Sequence, residues 1–314
     1  MAHTILGLHH VTATVGDAQP DLDFCLDLLG MRLVKKTVNF DNRHVYHFYY
    51  GNEHGTPGTI WTTFPYKGRG VPVGSKGYGQ VVTTAFSVPA ASMGFWRQRL
   101  EGSGTRVQET GPRFGDEVIR FDDPSGLWFE LVGSDRDTRA PWTGSGVDRA
   151  HAIRGLHSVT MLVRRSAPTL ELMTSVLGYT VAGEAANRTR VATGGDGPGH
   201  IIDIVEDPEA DPASNGLGTV HHVAMAIGTG EEQLRLREDL VSQGLRVTEV
   251  RDRCYFQSIY FREPGGVLFE VATIQPGFTV DEELATLGRE LKLPPWEEPY
   301  RDEIELNLVP VRYR

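Results

Sequence analysis

Cysteine is nearly absent from this sequence, which contains two in 314 residues. Cys25 and Cys254 stand far apart and form no CxxC pair, which excludes a cysteine-rich zinc site and a dithiol redox motif. So few cysteines also fit a reducing compartment better than a disulfide-stabilised secreted fold. We therefore expect a cytoplasmic protein.

Long apolar runs and basic clusters are missing as well. No stretch of 18 apolar residues occurs, and the opening MAHTILGLHHV shows no charged leader followed by an apolar core, so neither a membrane span nor a signal peptide is expected. The net charge is −10, from 41 acidic and 31 basic residues, with no basic stripe for a phosphate backbone. These absences argue against nucleic acid and membrane as partners.

One structural plan is present four times along the chain. Each copy opens with a strand (GLHHVTATV, GQVVTTAFSV, GLHSVTMLV and TVHHVAMAI), continues into a helix that ends at glycine, and closes with short strands around a turn. Glycine after a helix can adopt the positive φ that turns the chain back. We predict an α+β fold of four βαβββ modules, at about residues 1–70, 78–135, 152–206 and 217–274.

A single module of this kind cannot bury its sheet alone, so we expect the modules to pair into two incomplete β-barrels. A polar stretch rich in Gly and Arg divides the chain into residues 1–145 and 146–275. In the remaining segment, 276–314, the sequence predicts a charged amphipathic helix that ends at Pro294 and Pro295, then a tail packed on the outside.

Two pairs of adjacent histidines enter predicted strands. Aligning the modules places His10, Val81, Ser158 and His222 in the second position of the opening pair, and Thr63, Glu130, Ile204 and Glu270 in the closing strand. Only modules one and four together supply two histidines and a carboxylate, namely His10, His222 and Glu270. Such a triad leaves coordination positions open and is typical of non-haem Fe(II) oxygenases. We predict a metal site between these modules, with Fe(II) preferred over Mn(II) or Zn(II).

With these motifs the sequence resembles the vicinal oxygen chelate superfamily, and within it the type I extradiol ring-cleaving dioxygenases. The resemblance is strongest to the branch that acts on hydroquinones and chlorohydroquinones, and HHVT, HGTPGTIWTTFP, PRFGDEV, HHVA and YFQSIYFREPGGVLFE carry it over nearly the whole chain. It implies an Fe(II)-dependent dioxygenase of aromatic catabolism that inserts O₂ into an aromatic diol and opens the ring. It further implies metal-binding roles for His10, His222 and Glu270, catalytic roles for His9, His221 and Tyr260, and substrate contacts for Thr12 and Arg253.

Other interpretations of individual residues stay open. Strict strand alternation would turn His9 and His221 away from their neighbours and under a helix. A slip of one residue in register would make His157 a ligand. We interpret the remaining candidates as structural or surface groups (His44, His47, His54 and Glu130), and Tyr46 or Phe48 as possible walls of a substrate pocket.

Other functions of the same fold also stay open. A glyoxalase-type isomerase would need a glutamate in the place of Thr63 as a fourth metal ligand. A metal-free binding or resistance protein would not need the triad, and a metal-holding relative could have lost its chemistry. We expect a homo-oligomer, because closed dimers are the commonest assembly of soluble proteins.

Overall fold

Sixteen strands in the described part of the chain form two sheets in this computed structural model, which describes residues 5–313. Residues 1–4 and 314, at the outer bounds of the predicted first module and tail, lie outside the described residues. In chain order the strands are β1 (Ile5–Val15), β2 (Arg32–Asn39), β3 (Asn42–Gly51), β4 (Ile60–Pro65), β5 (Gln80–Val88), β6 (Val107–Glu109), β7 (Val118–Asp122), β8 (Trp128–Gly133), β9 (Gly155–Val163), β10 (Thr180–Ala185), β11 (Arg188–Ala192), β12 (Ile201–Glu206), β13 (Thr219–Ile227), β14 (Arg251–Asp252), β15 (Gln257–Arg262) and β16 (Leu268–Thr273).

Short helices connect the strands in every module. They are α1 (Ala18–Asp23), which continues as a π-helical turn over Phe24–Leu28, α2 (Met93–Gly102), α3 (Ala167–Ser175), α4 (Gly230–Ser242) and the C-terminal α5 (Arg301–Asn307). Gly30 and Gly178 follow the first and third of these helices with φ values of 68° and 76°, as the sequence predicts for residues that reverse the chain. Among the described residues, no helix is both long and apolar enough to cross a bilayer.

The modules pair as first with fourth and second with third. One sheet has the order β14-β15-β16-β13-β1-β4-β3-β2, and the other has the order β10-β11-β12-β9-β5-β8-β7-β6. Antiparallel contacts between β1 and β13, and between β5 and β9, join the modules of each pair. The predicted α+β fold of paired βαβββ modules is thus confirmed, and both histidine pairs fall in the first sheet, which we call the histidine barrel.

The C-terminal segment differs from its prediction. The stretch before Pro294 is not an α-helix: it contains only single 3₁₀ turns at Phe278–Val280 and Leu284–Thr286, and the α-helix of the tail comes later, as α5. Tertiary contacts outweigh the local helical pattern here. Lys35 of β2, fully buried, forms ion pairs with Asp281 and Glu282 and holds the segment against the histidine barrel.

Candidate metal centre

Three neighbouring strands of the histidine barrel bring His10, His222 and Glu270 together. In the β1–β13 ladder His10 pairs with Ala224 and Thr12 with His222, so the two histidines occupy symmetry-equivalent positions. Glu270 on β16 pairs with the same Ala224. Nε2 of His222 lies 2.8 Å, and Nε2 of His10 lies 3.2 Å, from Oε2 of Glu270. The ligand atoms of the three buried side chains all lie within 4.8 Å of one another.

Contacts behind the triad prepare both imidazoles to bind a cation. Nδ1 of His10 lies 2.9 Å from Nδ1 of His9, and Nδ1 of His222 lies 2.7 Å from Nδ1 of His221. Each of these contacts is a hydrogen bond only if one of its two Nδ1 atoms carries a proton. When that proton is on Nδ1 of His10 and of His222, the Nε2 atom of each keeps a free lone pair. A hydrogen bond from the far nitrogen is the usual way that a protein orients a metal-binding histidine, and here a second imidazole is the acceptor.

The charge balance of the triad also fits a divalent cation. Burial lowers the pKa of His222, which keeps the imidazole neutral, as metal binding requires. Burial alone would protonate Glu270, but His10 and His222 hold the pKa of that carboxyl well below its usual range. Ser258 donates a hydrogen bond to Oε1 of Glu270, whereas the buried Oε2 has no hydrogen-bond donor among the described residues. A buried carboxylate oxygen without a donor, facing two imidazole nitrogens, is a fitting donor set for a metal ion.

The strand registers correct the alignment of the modules. The β5–β9 ladder pairs Thr83 with Thr160 and Ala85 with Ser158, so the equivalent of His10 in module two is Thr83, not Val81. In the closing strands, Thr62 pairs with Thr12 and Asp203 pairs with Thr160. The predicted positions Thr63 and Ile204 were therefore wrong by one residue. The β1–β13 and β5–β9 ladders both contain register shifts, which counting from a turn cannot detect.

The fourth position of the triad is therefore Thr62. Its hydroxyl donates to Oγ1 of Thr12 over 2.8 Å and lies 2.9 Å from Nε2 of His47. Both neighbours are buried, and no glutamate occupies this place. The corrected position thus still lacks the carboxylate that a glyoxalase-type site would need.

A cavity of about 200 Å³ opens over the triad. Of the catalytic and substrate-contacting residues that the resemblance implied, His221, Arg253 and Tyr260 line it together with the triad. His9 and Thr12 do not belong to its walls: His9 packs against Phe256 with ring centroids 4.9 Å apart, and Thr12 lies behind Thr62.

Tyr260 and Arg253 form a coupled pair in the cavity wall. Tyr260 is paired with Glu270 across the β15–β16 ladder, and Nε of Arg253 donates to its phenol oxygen over 3.0 Å. Burial and the charge of Glu270 raise the pKa of Tyr260, so the phenol stays protonated at neutral pH. Because Arg253 supplies a donor to that oxygen, the phenol proton remains available to a molecule in the cavity.

Sequence reasoning missed the aromatic part of the cavity wall. His47, which the sequence indicated as a structural or surface group, lines the cavity with Tyr49, whereas the predicted Tyr46 and Phe48 do not. Most side chains on both faces of β3 are buried, so its pattern carries no signal of which face meets the cavity. The wall is completed by aromatic and polar side chains from both modules (Asn39, Phe40, Asp41, Phe64, Tyr66 and Phe256).

The other candidates lie elsewhere. His157 is buried in the second sheet, where its Nδ1 lies 2.9 Å from Oγ of Ser158, and it is not part of the triad. Glu130 belongs to the second sheet and forms ion pairs with Arg113 and Arg120. His44 lies 2.9 Å from a carboxylate oxygen of Glu303 at the surface.

Comparison with known proteins places the chain in a family. The model of the Glyoxalase/Bleomycin resistance protein/Dioxygenase superfamily matches residues 7–131 and 155–271. The chain belongs to this superfamily.

Relatives that span the whole chain point to one branch. The chain is 42% identical over 317 residues to MhqO of Bacillus subtilis (strain 168), which is named provisionally as a ring-cleaving dioxygenase, and the match covers 100% of this chain and 99% of MhqO. It is 38% identical to the chlorohydroquinone/hydroquinone 1,2-dioxygenase of Sphingobium indicum, covering 95% of this chain and 94% of that one. A crystal structure titled as that of a provisional dioxygenase from B. subtilis superposes with a TM-score of 0.95 at 42% identity, covering 100% and 99% of the two chains. These matches confirm the resemblance to the ring-cleaving dioxygenases of this superfamily.

Proposed function

We propose that this protein is an Fe(II)-dependent extradiol-type dioxygenase that inserts O₂ into an aromatic diol, a hydroquinone in the first instance, and opens its ring. The observation that carries this proposal is the convergence of His10, His222 and Glu270 on one face of a cavity. Two imidazoles and one carboxylate leave several coordination positions free, which a diol and O₂ can share. The relatives that span the whole chain support the same chemistry.

The size and walls of the cavity suit a single aromatic ring. An apolar cavity of about 150 Å³ holds benzene in another protein, and this one measures about 200 Å³. Tyr49, Phe64 and Phe256 offer ring faces and edges for stacking. The triad lies in the same cavity, so a ring held by these walls would present its oxygens to the metal.

The protein's own groups would orient the diol and supply protons. Bound iron would lower the pKa of a coordinated hydroxyl and bring O₂ next to the ring. We assign Tyr260 as the donor to a ring oxygen, and Arg253 as the cation that fixes the phenol and attracts a phenolate. His221 has its pKa lowered to about 3, mainly by burial, so at neutral pH it is a neutral imidazole. Because its Nδ1 faces Nδ1 of His222, its Nε2–H is the group that can donate to a molecule in the cavity. His9 and Thr12 would act through His10 and Thr62 rather than on the substrate.

Oxygen uptake tests this proposal directly. Anaerobically Fe(II)-reconstituted protein would be mixed with hydroquinone, methylhydroquinone, chlorohydroquinone and catechol, while an electrode follows O₂ and absorbance follows the ring-opened product. Metal content would be measured in parallel. We expect uptake coupled to product formation, with a hydroquinone preferred to catechol.

Variants of the triad are compared with a variant of His157, a buried histidine of the other sheet. His10→Ala and Glu270→Gln should lose both iron and uptake, whereas His157→Ala should retain both, since His157 lies outside the triad. Stoichiometric iron without uptake on any diol would contradict the dioxygenase proposal. Retention of iron by Glu270→Gln would contradict the ligand assignment.

A further inference from the structure

The second sheet repeats the geometry of the metal centre with different chemistry. Thr83 and Ser158 occupy the places of the two metal-binding histidines, because the β5–β9 ladder has the same symmetry as β1–β13. Glu130 stands where Glu270 stands, and Asp203 where Thr62 stands. We call this region the arginine barrel, after the four arginines (Arg113, Arg120, Arg188 and Arg190) that meet the two carboxylates.

Each arginine occupies a position whose equivalent in the histidine barrel lines the cavity. Arg120 pairs with Glu130 across its ladder as Tyr260 pairs with Glu270. Arg190 pairs with Asp203 as Tyr49 pairs with Thr62, and Arg188 precedes it by two residues, as His47 precedes Tyr49.

The loop before Arg120 extends this correspondence. Arg113 is followed by Phe114 with φ 50°, just as Arg253 is followed by Cys254 with φ 63°. A non-glycine residue rarely adopts this left-handed conformation, so its repetition in both loops places Arg113 as the structural equivalent of Arg253.

The carboxylates do not neutralise this cluster. Arg113 and Arg120 both donate to Glu130, with Nη2 of each lying 2.9 Å from Oε1. Arg190 donates to both oxygens of Asp203 over 2.8 and 3.0 Å, and Nη1 of Arg188 donates to Oδ2 over 3.0 Å. Four guanidinium groups thus face two fully buried carboxylates. An excess of two positive charges remains where little water can solvate it.

Other charged groups of this region pair with Arg136 rather than with the four arginines. Asp116, whose Oδ2 is buried without a hydrogen-bond partner among the described residues, lies 3.8 Å from Arg136 and 3.9 Å from His157, and Arg136 lies 3.3 Å from Asp196. The phenyl ring of Phe114 lies over Arg190, 4.1 Å from its guanidinium carbon, and shields it from water. Burial and the charge of Arg113 lower the pKa of Arg188, whereas Glu130 outweighs burial and raises the pKa of Arg113.

A hydroxyl without a partner lies on the inner wall beside this charge. Thr83 is 1% exposed, and its Oγ1 has no hydrogen-bond partner among the described residues. It pairs in the ladder with Thr160, whose Oγ1 accepts a hydrogen bond from Nη1 of Arg188 over 3.0 Å. A free donor next to an excess of buried positive charge is suited to an oxygen-bearing anion, and unsuited to a metal cation.

We propose that the arginine barrel binds one small oxyanion, of the carboxylate or phosphate class, between Arg113 and Arg188 and against the hydroxyl of Thr83. Both guanidinium groups are reachable, since their side chains are 14% and 17% exposed. The anion would take the place in this barrel that the substrate takes in the histidine barrel. The site is independent of iron and of the proposed ring cleavage.

Calorimetric titration of the full, iron-loaded chain tests this proposal. Sodium phosphate, succinate and benzoate would be titrated separately at constant ionic strength, which distinguishes an inorganic from an organic source of the oxyanion. We expect at least one of these probes to bind saturably at one site per chain. Arg113→Gln and Arg188→Gln should each weaken binding about tenfold or more, because each removes a charged donor. Each variant leaves its carboxylate one guanidinium partner, Arg120 or Arg190.

Two further variants keep the result unambiguous. Thr83→Val leaves every ion pair intact and should weaken binding several-fold through loss of the hydroxyl. Arg253→Gln changes the equivalent position of the histidine barrel and should leave the affinity unchanged. If none of the three probes binds saturably, or if Arg253→Gln rather than Arg113→Gln abolishes binding, the proposal is wrong and the cluster is only a structural network.

Discussion

Asp123→Asn should stabilise the protein at pH 8 far more than at pH 5. Asp123 lies in the turn between β7 and β8 and is 9% exposed, and its Oδ1 accepts hydrogen bonds from the backbone N–H groups of Ser125 and Leu127 over 2.9 and 2.6 Å. Burial, together with the nearby charge of Asp21, raises the pKa of Asp123 from 3.8 to about 7. The amide oxygen of asparagine can keep both hydrogen bonds without carrying a charge.

The sign and size of the effect follow from that pKa. The folded protein holds the proton of Asp123 up to a higher pH than the unfolded chain does, so the free energy of unfolding falls as the pH rises from 3.8 to about 7 and is level above it. Two of those pH units lie above pH 5, which corresponds to about 3 kcal/mol. The gain in stability from Asp123→Asn over the wild type should therefore be larger by this amount at pH 8 than at pH 5.

Urea unfolding of both proteins at pH 5 and pH 8, followed by circular dichroism, measures the difference. Asp207→Asn is the matched control, because Asp207 also accepts a backbone N–H hydrogen bond in a turn, from Glu209, but is only partly buried. Its effect on stability should differ far less between the two pH values, since it lacks the burial of Asp123. If the gain from Asp123→Asn is the same at both, the carboxyl is not held protonated by burial and the reasoning fails.

Two further predictions concern buried partners of the histidine barrel. Ser258→Ala removes the hydrogen bond that orients Glu270 and should weaken iron binding about 10- to 100-fold, as measured by competition with a chelator; an unchanged affinity would show that the carboxylate is placed without it. Lys35→Met leaves Asp281 and Glu282 without their cation and should reduce the free energy of unfolding by about 3–5 kcal/mol in urea. Adding Glu282→Gln should recover part of the loss, and equal instability of the single and double variants would contradict this assignment.

Local sequence patterns accounted for the modules and for the types of residue in the candidate site. The period of the strands and the glycines after the helices predicted four βαβββ units, which the two sheets confirm. The histidine pairs and Glu270 were recognisable because such residues are rare in strands that otherwise alternate Val, Thr and Ala. These signals are local, so they can be seen without knowledge of the rest of the chain.

Register and face depend on contacts between distant segments, and only the tertiary structure decided them. Because the β5–β9 ladder contains register shifts, the equivalent of His10 in module two is Thr83 and not Val81. The pairing of β3 with β4 places the side chain of His47, and not that of Tyr46, in the cavity wall. Ion pairs with Lys35 hold residues 278–293 against the histidine barrel without an α-helix, although their pattern is helical. The sequence by itself thus determined which chemical groups this protein carries and in which repeating unit. Because a shift of one residue turns a strand's side chains to the opposite face, long-range pairing decided which of those groups meet.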